Sequence, residues 1–164
     1  MQEARIELLQ HMPVFGGIRA DVLRFLLGLC PVVSVPLSEF FFRENDQADS
    51  MFVLEAGVAA VLKSWSGREY LLRTLKEGDC FGEMAVMDLF PRSASVRAVE
   101  DCTAIRLSAA NLYQVCAQDP KQFALIQMNM GREGCRRLRE ADNQRLRARM
   151  GTPDADVEHV FRPS

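Results

Sequence analysis

Histidine is nearly missing from this sequence: only His11 and His159 occur, both close to the ends. The five cysteines, Cys30, Cys80, Cys102, Cys116 and Cys135, are odd in number, widely scattered and without a Cys-x-x-Cys pair. A disulfide framework and a tetrahedral zinc site therefore lack their ligands, and the thiols are expected to be buried or idle. With no convergent set of histidine, cysteine and aspartate, metal or nucleophilic catalysis has little to work with, and no enzyme, cofactor or metal is expected. No apolar run approaches the ~20 residues that cross a bilayer. The opening Met1-Gln2-Glu3-Ala4-Arg5-Ile6-Glu7 is too polar for a secretory signal. The expectation is a cytoplasmic protein with no membrane partner. Net charge is scarce too: −2 over 164 residues gives no overall pull towards nucleic acid or anionic lipid.

What is present describes a soluble globular chain, 48% hydrophobic and 26% charged, of one ordinary domain plus a little extra. Residues 1–30 read as a helical lead-in. A short helix over 2–11 carries Ile6, Leu8 and Leu9, and Pro13, Gly16 and Gly17 break it. A second helix over about 19–29 has Asp21 in its first turn and Val22, Leu23, Phe25, Leu26, Leu27 and Leu29 as largely buried positions.

From Val32 the apolar period becomes strand-like, and residues 31–107 read as a β-roll. Short strands are expected at Val32–Val35, Phe40–Phe42, Met51–Leu54, Val58–Leu62, Glu69–Leu75, Val96–Val99 and Cys102–Leu107. In the fifth, Tyr70 and Leu72 would share one face and Leu71, Arg73 and Leu75 the other. Asn45 stands in a polar turn and tolerates the left-handed conformation that such a turn asks for. Seven or eight short strands about ten residues apart argue a sandwich or roll.

One stretch, 80–98, concentrates the chemistry. Gly82 can bring backbone close to a ligand. Glu83 to Asp88 are long enough for one or two helical turns, whose first amides would point outward towards an anion. Pro91 stiffens the chain before Arg92, a planar fork of donors suited to phosphate. Ser93 and the amides after it add neutral donors. Glu83 is out of place beside an anion unless the same ligand offers it a donor, as a sugar hydroxyl would. Singly, such residues are usually a solvated loop arginine and a helix-start glutamate; the combination is what carries information.

Phe81-Gly82-Glu83-Met84-Ala85 followed by Pro91-Arg92-Ser93-Ala94-Ser95-Val96 resembles the phosphate-binding cassette of cyclic-nucleotide-binding domains. The resemblance extends over roughly residues 12–149 and implies the following expectations. The fold is mainly β with flanking helices, an antiparallel jelly-roll-like barrel (double-stranded β-helix) with N-terminal helices and a long C-terminal helix. The ligand is cAMP or cGMP; Ser93 stands where cGMP-selective relatives often carry threonine, which favours cAMP. Gly82, Glu83, Met84 and Ala85 match the ribose-side positions, with Glu83 on the 2′-hydroxyl. Arg92 matches the arginine on the cyclic phosphate, with Ser93 and Ala94 beside it. Val61 and Leu72 match apolar positions against the purine, with Arg73 adjacent, although both read equally as plain sheet core.

The last segment, 108–150, is helical. Ser108 caps a helix over about 109–118, and Pro120 opens a long one in which Phe123, Leu125, Ile126, Met128 and Met130 form an apolar face. After Gly131 its character changes to arginine-rich, with Cys135, Leu138 and Leu146 as sparse apolar positions. A solvated surface helix is the plain reading. A homodimer seam through 120–149 that also lids the base, with Arg137 among the candidates to reach it, is the functional one. Residues 151–164 read as a loose tail, and the fourteen residues after Met150 are too few for a helix-turn-helix reader, so no DNA partner is expected. The expected function is a cyclic-nucleotide sensor that signals by repositioning its last helix. The alternative is a ligand-independent interaction module, with an unidentified protein partner on the exposed arginines.

Overall fold

The structure is a computed structural model that describes residues 1–151. It divides into two units, Met1–Met130 and Gly131–Ser164. In chain order the elements are α1 (Gln2–Gln10), a 3₁₀ turn (Pro13–Phe15), α2 (Ala20–Leu29), β1 (Val32–Val35), β2 (Phe40–Phe42), β3 (Ser50–Ala56), β4 (Ala59–Trp65), β5 (Arg68–Leu75), β6 (Cys80–Phe81), α3 (Glu83–Asp88), β7 (Ser95–Ala98), β8 (Cys102–Ser108), α4 (Ala109–Gln118) and α5 (Pro120–Arg149).

The eight strands form two four-stranded sheets, ordered β1-β8-β3-β6 and β2-β7-β4-β5, and every pairing is antiparallel. This is the expected jelly-roll arrangement with flanking helices. The run Met51-Phe52-Val53-Leu54 explains how the layers are joined. Alternate side chains of a strand point to opposite faces. Met51 and Val53 enter a cluster with Leu9, Phe15, Leu23 and Leu26 of the N-terminal segment and Ile126 of α5. Phe52 and Leu54 face the other way, into a cluster with Leu75, Phe81, Val96 and Ala104. A strand covered on both faces reads as a continuous apolar run, as this one does.

Local chemistry sets several boundaries. Asn45 adopts φ 71°, the left-handed turn conformation expected of it. Ser108 and Asn111 make a reciprocal cap: Ser108 Oγ accepts from the Asn111 amide (3.0 Å) and Asn111 Oδ1 from the Ser108 amide (3.0 Å). Asp119 Oδ1 accepts from the Gln122 amide (3.1 Å) in the first turn of α5.

The structure corrects some expectations. Leu29, at the end of α2, is exposed, as is Met128 on α5; Asn129 is buried instead, and its Nδ2 donates to the Val14 (3.2 Å) and Gly16 (2.9 Å) carbonyls. Of the cysteines expected to be buried or idle, Cys135 is exposed, and Val99 lies beyond β7. The faces of β5 do not alternate as expected. Val61 pairs with Arg73 but Leu62 with Leu71, so Leu72 is the extra, unpaired residue of a bulge in β5. As the edge strand of its sheet, β5 buries only Leu75, and Tyr70, Leu71 and Leu72 are all exposed. Leu72 is therefore not a core residue. The tail expected over 151–164 falls, except for Gly151, outside the described residues, as does His159.

Candidate functional site

Phe81 anchors the candidate site. It stacks on Phe52 (centroids 5.4 Å apart) and meets Phe41 edge-on (5.1 Å) inside the inter-sheet core. That fixes the next residue, Gly82, which caps α3 at φ 75°, a conformation that L side chains rarely adopt. On α3, Glu83 and Ala85 are buried and Met84 is exposed. The chain then turns through Leu89 at φ 58° and returns through residues 91–94 to β7.

Arg92 is held from both ends. Its amide donates to the Asp46 carbonyl (2.9 Å), and its carbonyl accepts from the Asn45 amide (2.8 Å), so the turn after β2 clasps its backbone. The residue is only 6% exposed. Nη1 donates to the Gly82 carbonyl (3.1 Å), Nη2 to the Ser50 carbonyl (2.6 Å), and the guanidinium lies 3.9 Å from the centroid of the Phe42 ring. Nε is buried and has no hydrogen-bond partner. Burial pushes the Arg92 pKa down; the charges of Asp49 and Asp46 oppose the shift and that of Arg106 adds to it. Arg106 in turn donates to Ser50 Oγ (3.0 Å) and Asp49 Oδ1 (3.3 Å). A cavity of ≈ 330 Å³ opens beside Arg92, walled by Val33, Phe41, Phe42 and Phe52 with Asp49 and Arg106 at its polar side. Glu83 does not line this cavity.

Gly82 and Arg92 are thus in direct contact, with Glu83 one residue away along the chain. Ser93 is exposed, Ala94 is 9% exposed, and the Ser93 carbonyl accepts from Lys63 Nζ (2.5 Å). Val61 is half-buried on β4, paired with Val96 on one side and Arg73 on the other. Arg73 Nη2 donates to the Cys80 carbonyl (3.3 Å), which brings it to the start of the cassette. Leu72 projects into solvent. Arg137 belongs to the second unit. Among the described residues, no group of three or more histidine, cysteine or acidic side chains could hold a metal ion.

Sequence reasoning missed Ser50, Phe42, Phe52, Lys63 and Glu44. Ser50 touches Arg92 through a backbone carbonyl, which no side-chain pattern reveals. Phe42 and Phe52 read only as strand residues. Lys63 and Glu44 are 19 positions apart, and only strand pairing brings Nζ to 2.6 Å from Oε1.

Comparison with known proteins decides the family. The cyclic nucleotide-binding domain description matches residues 32–119, more than half of the chain. The chain belongs to the cyclic nucleotide-binding domain family. It is 25% identical over 138 residues to a CRP-like cAMP-activated global transcriptional regulator of Mycobacterium tuberculosis, a match covering 84% of this chain and 60% of that protein. It is 29% identical over 99 residues to a cAMP-dependent protein kinase regulatory subunit of Emericella nidulans, covering 60% of this chain and 24% of that one. Among solved structures, the Thermus thermophilus catabolite activator protein superimposes with a TM-score of 0.73 at 28% identity, over 80% of this chain and 61% of that one. The chain spans between a quarter and three fifths of the length of these relatives. They are regulators, not catalytic enzymes. No described helix is long and apolar enough to cross a membrane.

Proposed function

We propose that this cyclic nucleotide-binding domain is a cAMP sensor. The observation that carries the reading is the state of Arg92: a buried cation whose acceptors are two neutral carbonyls and whose Nε–H has no partner. A buried guanidinium gains most from a bidentate anion. A cyclic phosphate seated at the start of α3 would supply it, with Ser93 and Ala94 as further donors. Glu83 would take the ribose 2′-hydroxyl, with Met84 and Ala85 beside it. Val61, Leu72 and Arg73 would meet the base, and the exposure of Leu72 leaves it available for that contact.

Signalling follows from differential affinity: a nucleotide that binds better when the last helix closes shifts the helix equilibrium in that direction. Arg137 would be the base contact from that helix, and the 120–149 segment the seam of a homodimer. The arginine-rich half of α5 would then serve a protein partner, not DNA, in the cytoplasm.

Isothermal calorimetry tests the binding step. Heat of binding with cAMP, weaker with cGMP, is the expected result; no heat with either at millimolar ligand removes the reading. In the competing reading, a ligand-independent module, the contacts of Arg92 with Ser50, Gly82 and Phe42 hold the cassette together without a ligand. Partner capture would then be indifferent both to nucleotide and to Arg92→Ala.

A further inference from the structure

The geometry points to Lys63, anchored by Glu44, as a positioning residue that sets the direction and donor strength of the Ala94 amide in the anion-binding limb of the cassette. The inference rests on the nucleotide-binding reading above. Lys63 Nζ donates to the Ser93 carbonyl (2.5 Å) and to Glu44 Oε1 (2.6 Å). Glu44 Oε2 accepts from the Ser64 amide (3.0 Å), and the Glu44 amide donates to Ser95 Oγ (2.8 Å). One ammonium and one carboxylate thereby tie together the turn after β2, the far half of β4 and the limb that leads into β7.

The Ser93 carbonyl and the Ala94 N–H belong to one planar peptide unit, and it is trans. In a trans unit the two groups point in opposite directions, so pinning the oxygen also aims the amide hydrogen. A cation on the oxygen polarises the unit and strengthens that hydrogen as a donor. Ala94 is one of the positions expected to face the phosphate, so Lys63 would act on the ligand through the peptide without touching it.

An ordinary surface ion pair would carry little of this weight. Here the carboxylate also takes a backbone amide and the ammonium a backbone carbonyl, and the Glu44 side chain is only 17% exposed against 43% for Lys63. The Lys63 contact, and after it the Ser64 amide, hold the Glu44 carboxyl below the usual carboxylate range. Val61, two residues before Lys63 on the same strand, lines up with Val96 of β7. β4 therefore presents the apolar base position and the cation on one face.

The test uses the full chain with Lys63→Met, Lys63→Gln and Lys63→Arg. Two readouts are taken: cAMP affinity by calorimetry, and the ¹⁵N–¹H resonance of the Ala94 amide without ligand. Lys63→Met and Lys63→Gln are expected to weaken cAMP binding about tenfold and to shift the Ala94 resonance. Lys63→Arg is expected to recover most of the loss. Unchanged affinity in both neutral variants, or an Ala94 resonance that stays in place in both, overturns the positioning role. Wild-type protein that takes up no cAMP overturns the nucleotide reading instead, and the Ala94 resonance still decides the orientation of the peptide.

Discussion

Replacing Arg92 with methionine separates its part in binding from its part in packing. Methionine keeps an unbranched stem over the Phe42 ring and removes only the charged head. That head makes hydrogen bonds of 2.6 Å to the Ser50 carbonyl and 3.1 Å to the Gly82 carbonyl, and stacks 3.9 Å from a ring centroid. Hydrogen bonds from a charged donor contribute ~1.5–3 kcal/mol each, and a desolvated cation–π contact ~2 kcal/mol. Opposing them is the cost of burying a cation, several kcal/mol even after relaxation. Among the described residues no carboxylate forms an ion pair with Arg92, and burial is the leading influence on its pKa. The two sides nearly cancel, so the ligand-free Arg92→Met variant is expected to unfold in urea within ~2 kcal/mol of wild type. Nucleotide binding has no such cancellation. Without the guanidinium the phosphate is buried unpaired, a loss of ~2–5 kcal/mol. That equals an affinity fall of about thirtyfold to several thousandfold. Calorimetric titration with cAMP, beside urea unfolding of the same samples, reads both quantities. Unchanged affinity refutes the argument. So does a stability loss above ~4 kcal/mol with affinity intact, because Arg92 would then be a structural strut.

Gly82→Ala places a side chain at φ 75° with its Cβ 2.6 Å from Arg92 Nη1. Urea unfolding is expected to report a loss of ~1–2 kcal/mol from the left-handed backbone alone, and calorimetry a drop in cAMP affinity as Arg92 is displaced; a variant matching wild type in both discounts the contact. Asn129→Leu removes the donors to the Val14 and Gly16 carbonyls. Thermal unfolding should show a loss of ~1–3 kcal/mol, whereas a neutral result would mean that water replaces them. The Gln122 amide, and then Arg19, hold the Asp119 carboxyl below its ordinary value. Its stabilisation is therefore full above the unfolded value of ~3.9 and fades as pH falls through the lower folded one. Asp119→Asn should flatten the acid side of the stability profile below about pH 4, measured as urea midpoints against pH; an unaltered profile would assign acid unfolding to other carboxylates.

Much of the fold was legible because local chemistry and tertiary packing agree. The helix over 83–88, the cap at Ser108, the left-handed Asn45 and the start of α5 at Pro120 each rest on one or two neighbouring residues. The cassette was legible because several uncommon choices fall together within 19 positions, 80–98. The failures share a cause. β5 was read by strict alternation, but Leu72 is an extra residue bulged out between the positions that pair with Val61 and Leu62, and nothing in the β5 sequence announces it. Met128 was placed on the apolar face of α5 from its apolarity, and Asn129 was passed over although two carbonyls of the N-terminal segment accept from its amide.

The amino-acid order by itself determined the architecture and the family resemblance, and it singled out Glu83 and Arg92 as candidates, because each depends on spacing along the chain. Only the tertiary structure decided what surrounds them. The contacts of Arg92 with Ser50 and Phe42, and of Lys63 with Glu44 and the Ser93 carbonyl, join segments 19–50 residues apart through strand pairing. Half of them end on backbone atoms, which are the same in every residue and so leave no mark in the sequence.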